Sequence, residues 1–91
     1  MIIKEVVIKG DAGVHARPAM MMVREAMKYG GCSVTLVKDD VEADCKSIMS
    51  VIGLAMVAGS SVTIKADGDG EAEIVEKLAA MVESNFTANQ L

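Results

Sequence analysis

Apolar and polar positions alternate from the start of the chain. Val6 and Ile8 face one way, Glu5, Val7 and Lys9 the other, which predicts a strand over 2–9. After a loop from Gly10 to Val14 the period changes. Residues 16–29 place Ala19, Met22, Val23, Ala26 and Met27 on one helical stripe, and Tyr29-Gly30-Gly31 ends it with a glycine suited to a left-handed cap. Cys32, Val34 and Leu36 alternate with Ser33, Thr35 and Val37, giving a second strand. Asp39-Asp40 turns it into a third, where Val41, Ala43 and Cys45 alternate with Glu42 and Asp44. Ser47 opens a short apolar helical segment that stops near Gly53, and Gly59 precedes a fourth strand with Val62, Ile64 and Ala66 on one side. The run Asp67-Gly68-Asp69-Gly70 is a turn. Glu71 and Glu73 then complement the dipole of a last helix, whose buried stripe is Ile74, Val75, Leu78, Met81 and Val82. The order βαββαβα predicts an α/β (α+β) fold: an open-faced sandwich, with a four-stranded antiparallel sheet covered on one face by three helices. We expect one domain over 1–91.

Composition narrows the function classes. With 52% hydrophobic residues but only 2% aromatic ones, the core must be aliphatic, and the 8 methionines fill its irregular gaps. A net charge of -4 and the lack of stacking aromatics argue against nucleic acid as a partner. Charge at Lys4 and Glu5 breaks the first apolar run, so no signal peptide is expected, and no stretch is long enough to span a bilayer. Cys32 and Cys45 lack metal-ligand spacing and are expected as reduced thiols on strands of a cytoplasmic protein. The Asp67–Gly70 run fails as a calcium loop, because the later ligands do not follow in register. No metal or cofactor is expected.

The chain has one histidine, in Gly13-Val14-His15-Ala16-Arg17-Pro18-Ala19, at the mouth of the first helix. With His15 at the N-cap, Pro18 falls in the first turn, where its missing N–H costs nothing. The backbone amides of Ala16 and Arg17 are then unpaired beside the imidazole. Free amides and the positive helix end favour an anion. Arg17 adds a fork that matches phosphate oxygens, and Gly13 permits a tight turn before the site. A dipole worth roughly 0.3–1 kcal/mol per charge tunes a phosphoryl group without trapping it. The competing reading is a histidine that only caps the helix, although Ser, Thr, Asp and Asn are the preferred caps. A metal site or a Ser–His hydrolase finds no ligand set or triad here.

These residues resemble the active-site motif of the HPr family, the histidine-containing phosphocarriers of the phosphoenolpyruvate:sugar phosphotransferase system. Lys46-Ser47-Ile48-Met49 resembles that family's second motif, and the likeness covers essentially the whole chain. The resemblance implies phosphorylation of His15 on Nδ1 by enzyme I and onward transfer to sugar-specific enzyme II (IIA) components. It implies a carrier, not a self-contained enzyme. The chain departs from the family pattern in an apparent extra residue between the motifs, in the Met20-Met21-Met22 run and in Ser50.

Ser47 has a plain reading as the N-cap of the segment that follows. The resemblance adds regulatory phosphorylation by HPr kinase/phosphorylase, with a transcriptional regulator as a further partner. At about 100° per residue, Met21 falls opposite the first helix's buried stripe, sharing an outer face with Arg17, Arg24 and Lys28, with Met20 on its flank. We expect this face to dock partners, extended by Ile48, Met49 and Ile52, on a monomer. The alternatives are an HPr-like regulator acting mainly through Ser47 or in a nitrogen-linked branch, and a small ligand-binding α/β domain.

Overall fold

The computed structural model describes residues 1–9 and 16–84, the side chains of Ala16 and Arg17 excepted. Its elements are β1 (Ile2–Val7), α1 (Ala16–Met27), β2 (Cys32–Lys38), β3 (Val41–Asp44), α2 (Ile48–Gly53), β4 (Ser61–Gly68) and α3 (Glu71–Glu83). The strands form one sheet in the order β1-β4-β2-β3, every neighbour antiparallel. The predicted βαββαβα sandwich is the observed fold.

Alternation decides which face is covered. Val6 pairs with Val62, Ile64 lies between Lys4 and Leu36, and Leu36 pairs with Ala43, so one face is aliphatic apart from Lys4 at the β1 edge. Those apolar side chains are buried together with Ala19, Met22, Val51, Ile74, Leu78 and Val82 from the three helices. Helix α3 lies on β1 and β4, while α1 packs against α2 and α3. The opposite face presents Glu5, Ser33, Asp67 and Ile3 outward, as an open sheet requires.

Several boundaries differ from the sequence expectation. Strand β1 ends at Val7, yet Ile8 stays buried, held by its N–H to the Ser60 carbonyl (2.9 Å) and its carbonyl to the Gly59 N–H (2.8 Å). Helix α1 closes at Met27 and Met27 is 61% exposed, so it leaves the predicted buried stripe. The glycine cap expected at Gly30-Gly31 does not form, because neither residue has positive φ. A lysine replaces it: Lys46 Nζ donates to the carbonyls of Tyr29 (2.8 Å) and Cys32 (2.6 Å), on either side of the two glycines. Glycine matters instead at Gly68, with φ of 132° in β4, where a β-carbon would collide with the Gly31 carbonyl.

The two carboxylates placed at the start of α3 are both engaged. Glu71 accepts from the Gly68 N–H (3.0 Å), which holds its carboxyl below the ordinary glutamate value. Glu73 accepts from the Tyr29 hydroxyl (2.8 Å), tying α3 to the end of α1, and that bond lowers its pKa first, with Lys77 adding to the effect. Cys32 and Cys45 are free and buried. Burial, with the nearby Asp44 charge, pushes the Cys45 thiol up to about 12.

Candidate functional site

Helix α1 begins at Ala16, directly after the histidine. His15 itself, Gly13, Val14 and the Arg17 side chain lie outside the described residues. Pro18 is half-buried in the first turn, where a missing N–H breaks no helical bond. Ala19, next along, has no exposed surface and faces the core with Met22 and Ala26. These small and flexible apolar residues seat the helix on the core, and that fixes where its first turn stands.

The second motif is built by a tight turn after β3. Lys46 N–H donates to the Asp44 carboxylate (2.9 Å), and Ser47 N–H to the Asp44 carbonyl (2.9 Å). Ser47 occupies the N-cap of α2 in extended conformation, and its carbonyl accepts from Val51 (3.1 Å). Its hydroxyl makes no capping bond among the described residues, so the plain capping reading holds for position and not for chemistry. The hydroxyl of this half-buried serine is not spent on its own helix.

Lysines pin the chain before and after α2. Beyond its bonds across the α1–β2 turn, Lys46 stands immediately before Ser47. At the other end Lys38 Nζ donates to the carbonyls of Leu54 (3.2 Å) and Ala55 (2.9 Å), which follow the last turn of α2. Carbonyls at helix ends lack partners within the helix, and an ammonium satisfies two at once. A short six-residue helix is marginal alone, so these ties and the burial of Val51 hold it in place. Nothing in residue spacing marks either lysine for this role.

The predicted docking face is partly as expected and partly redrawn. Met20 and Arg24 are exposed on α1 and Lys28 just past its end, Met49 is exposed on α2, and Ile52 lies at its margin. Lys28 is paired with Glu25 at 2.9 Å, so its charge is partly answered. Ile48 is half-buried and packs against the core. Met21 is the correction, being only 8% exposed. One turn on from it, Glu25 meets Lys77 of α3 at 3.8 Å, so residues 21 and 25 lie on a flank that α3 covers. A wheel with a single buried stripe missed that second neighbour. Met27, assigned to the core by the same wheel, joins Met20 and Arg24 on the open arc instead.

Among the described residues no three His, Cys, Asp or Glu side chains converge to hold a metal, and no helix is long and apolar enough to cross a membrane. A shallow depression on the open sheet face is lined by Ser33, Thr35, Glu42, Lys65 and Asp67, with Lys65 already paired to Glu42 at 3.4 Å.

Comparison with known proteins agrees with this arrangement. The family described as "PTS HPr component phosphorylation site" matches residues 2–84. The chain is similar to the HPr-like protein Crh of Bacillus subtilis, at 40% identity over 83 residues, covering 91% of this chain and 96% of Crh. A crystal structure of that Crh, described as a swapped dimer, matches with a TM-score of 0.73 at 38% identity, covering 97% of this chain and 100% of the Crh chain. The phosphocarrier protein HPr of Mycoplasma genitalium is 36% identical over 81 residues, covering 89% of this chain and 92% of that protein. Among solved structures, HPr from Thermoanaerobacter tengcongensis matches with a TM-score of 0.88 at 35% identity, covering 94% of this chain and 96% of that one.

Proposed function

The chain belongs to the HPr family of phosphotransferase-system phosphocarriers, and we propose that His15 is its phosphoryl acceptor. On this reading enzyme I loads His15 with a phosphoryl group drawn from phosphoenolpyruvate, and enzyme II components of the IIA type remove it for sugar uptake. The observation that carries the reading is the start of α1 at Ala16, one residue after the lone histidine. A helix of 12 residues opening there offers unpaired amides and its positive end to an anion on the ring. Arg17 supplies the directed cation. The protein acts as a carrier in the cytoplasm, over one domain spanning 1–91, and is no catalyst by itself.

Ser47 is the proposed regulatory site for a kinase of the HPr kinase/phosphorylase type. Its uncommitted hydroxyl beside the N-terminus of α2 supports this, since a phosphate there is favoured by the helix end. The exposed residues Met20, Arg24, Lys28, Met49 and Ile52, now with Met27, form the proposed docking face for acidic surfaces of the partners. Cations on the rim speed encounter, and adaptable apolar side chains slow departure.

The likeness to Crh favours a second reading, a regulator that works mainly through Ser47. The presence of His15 favours the carrier. Incubation with enzyme I and labelled phosphoenolpyruvate, and separately with a serine kinase and labelled ATP, then mapping of the label, separates them: label from phosphoenolpyruvate on the 13–19 peptide supports the carrier, and label only from ATP, on Ser47, supports the regulator.

We also propose a monomer. Strand β1 is a sheet edge, and the registers that pair most of it with a second copy in one continuous sheet oppose Lys4 to Lys4 or Glu5 to Glu5. Edge-to-edge pairing through β1 is thereby disfavoured. Light scattering tests this, with a swapped dimer such as the one described for Crh as the contrary outcome.

A further inference from the structure

The methionines divide sharply by position. Met21, Met22, Met56 and Met81 are buried, whereas Met20 (53%), Met27 (61%) and Met49 (74%) stand in solvent on α1 and α2. Met20 and Met27 flank Arg24 on the open arc of α1, and Met49 occupies the first turn of α2, two residues after Ser47. The remaining exposed methionine, Met1, sits away from this surface, its amino group 3.1 Å from Glu71 at the start of α3. We propose that Met20, Met27 and Met49 are an oxidation site through which hydroperoxides reversibly weaken the docking of partners.

The chemistry is two-electron oxygen transfer. The terminal oxygen of a hydroperoxide passes to the thioether sulfur; the S–O bond forms as the O–O bond breaks, and water or an alcohol leaves. Sulfur is oxidised and the peroxide reduced. The product is a polar, chiral sulfoxide where a flexible apolar side chain stood. Susceptibility follows exposure, so the three helix methionines react ahead of those in the core. The protein's thiols do not compete, because Cys32 and Cys45 are both buried and the Cys45 thiolate is disfavoured up to about pH 12. Oxidation is thereby directed to the very side chains that give the α1–α2 face its apolar, adaptable character. The fold survives, since the core methionines are untouched.

The inference rests on the docking reading above, and its test separates the two. The purified chain is treated with limiting hydrogen peroxide, its sulfoxides are mapped by mass spectrometry, and its association with enzyme I is measured before and after. We expect sulfoxide at Met20, Met27 and Met49, with Met1 also modified and silent. Affinity should fall about tenfold, the scale of replacing a buried apolar contact by a polar one. Sulfoxide reductases of both epimer specificities should restore it. A Met20→Leu/Met27→Leu/Met49→Leu variant, whatever its own affinity, should bind alike before and after peroxide. Undiminished binding by fully sulfoxidised wild type, or an equal loss in the triple variant, overturns the proposal. Unoxidised Met20→Glu and Met49→Glu variants serve as the control. If they too bind normally, the docking reading fails with it; if they bind poorly while the sulfoxides do not, only the oxidation site is lost.

Discussion

Lys46 and Tyr29 are joined across the end of the first helix: the ammonium of Lys46 lies 2.8 Å from the Tyr29 carbonyl and also holds the carbonyl of Cys32. One side chain thus stands in for the glycine cap the sequence promised and ties the Ser47 segment to the turn that follows α1. Replacing it with methionine keeps the length of the stem and takes the charged donor from two partly buried carbonyls, of which that of Tyr29 keeps the Cys32 N–H (3.0 Å). We expect Lys46→Met to lower unfolding stability by about 1.5–3 kcal/mol, the worth of hydrogen bonds to a charged group. Urea melts of the two proteins check this; an unchanged midpoint would make Lys46 a solvated surface lysine.

A second stability prediction concerns strain after α2. Ala55 has φ of 53° and follows Leu54, the C-cap. A β-carbon in the left-handed region costs roughly 1–2 kcal/mol, against the smaller entropic cost of glycine. Ala55→Gly should therefore stabilise the chain by about 0.5–1 kcal/mol, raising the melting temperature by about 2–6 °C for a domain of this size. Thermal melts would show it directly. The bond from Lys38 goes to the backbone carbonyl of residue 55 and survives the change.

Acid should loosen the start of α3 and its tie to Tyr29. The carboxyls of Glu71 and Glu73 are both held below their ordinary value, Glu71 by the Gly68 amide and Glu73 by the Tyr29 hydroxyl. Groups with a depressed folded pKa stabilise the fold above the unfolded value and lose that contribution as pH falls through the folded one. The melting temperature should then decline as pH drops through and below about 4.3, the ordinary glutamate value. Tyr29→Phe removes the leading cause at Glu73 and should flatten part of that decline. An identical pH profile in the variant would contradict the assignment.

The sheet was legible because its signal is short-ranged and repeated. Val34, Leu36, Val62, Ile64 and Ala66 alternate with neighbours that are polar except for Val37, and a one-residue slip would expose them all. Helix α1 was harder. Its wheel located Ala19, Met22 and Ala26, yet Met21 and Met27 exchanged places because α2 and α3 flank the helix unequally, and periodicity carries no record of a third element. The lysine caps were invisible for a related reason. Lys46 meets Tyr29 from 17 residues away, and Lys38 meets Ala55 at the same separation, so only the finished fold brings donor to acceptor. The histidine stood out for the opposite reason, being chemically unusual where a Ser or Asp would cap better.

The measurement that tests the carrier role most directly is phosphorylation of wild type and His15→Ala by enzyme I, side by side. Wild type should take up one phosphoryl group that is acid-labile and released by hydroxylamine, as a phosphoramidate on imidazole is, and His15→Ala should take up none. Label in His15→Ala at the wild-type level, or an acid-stable ester on wild type, would contradict the account.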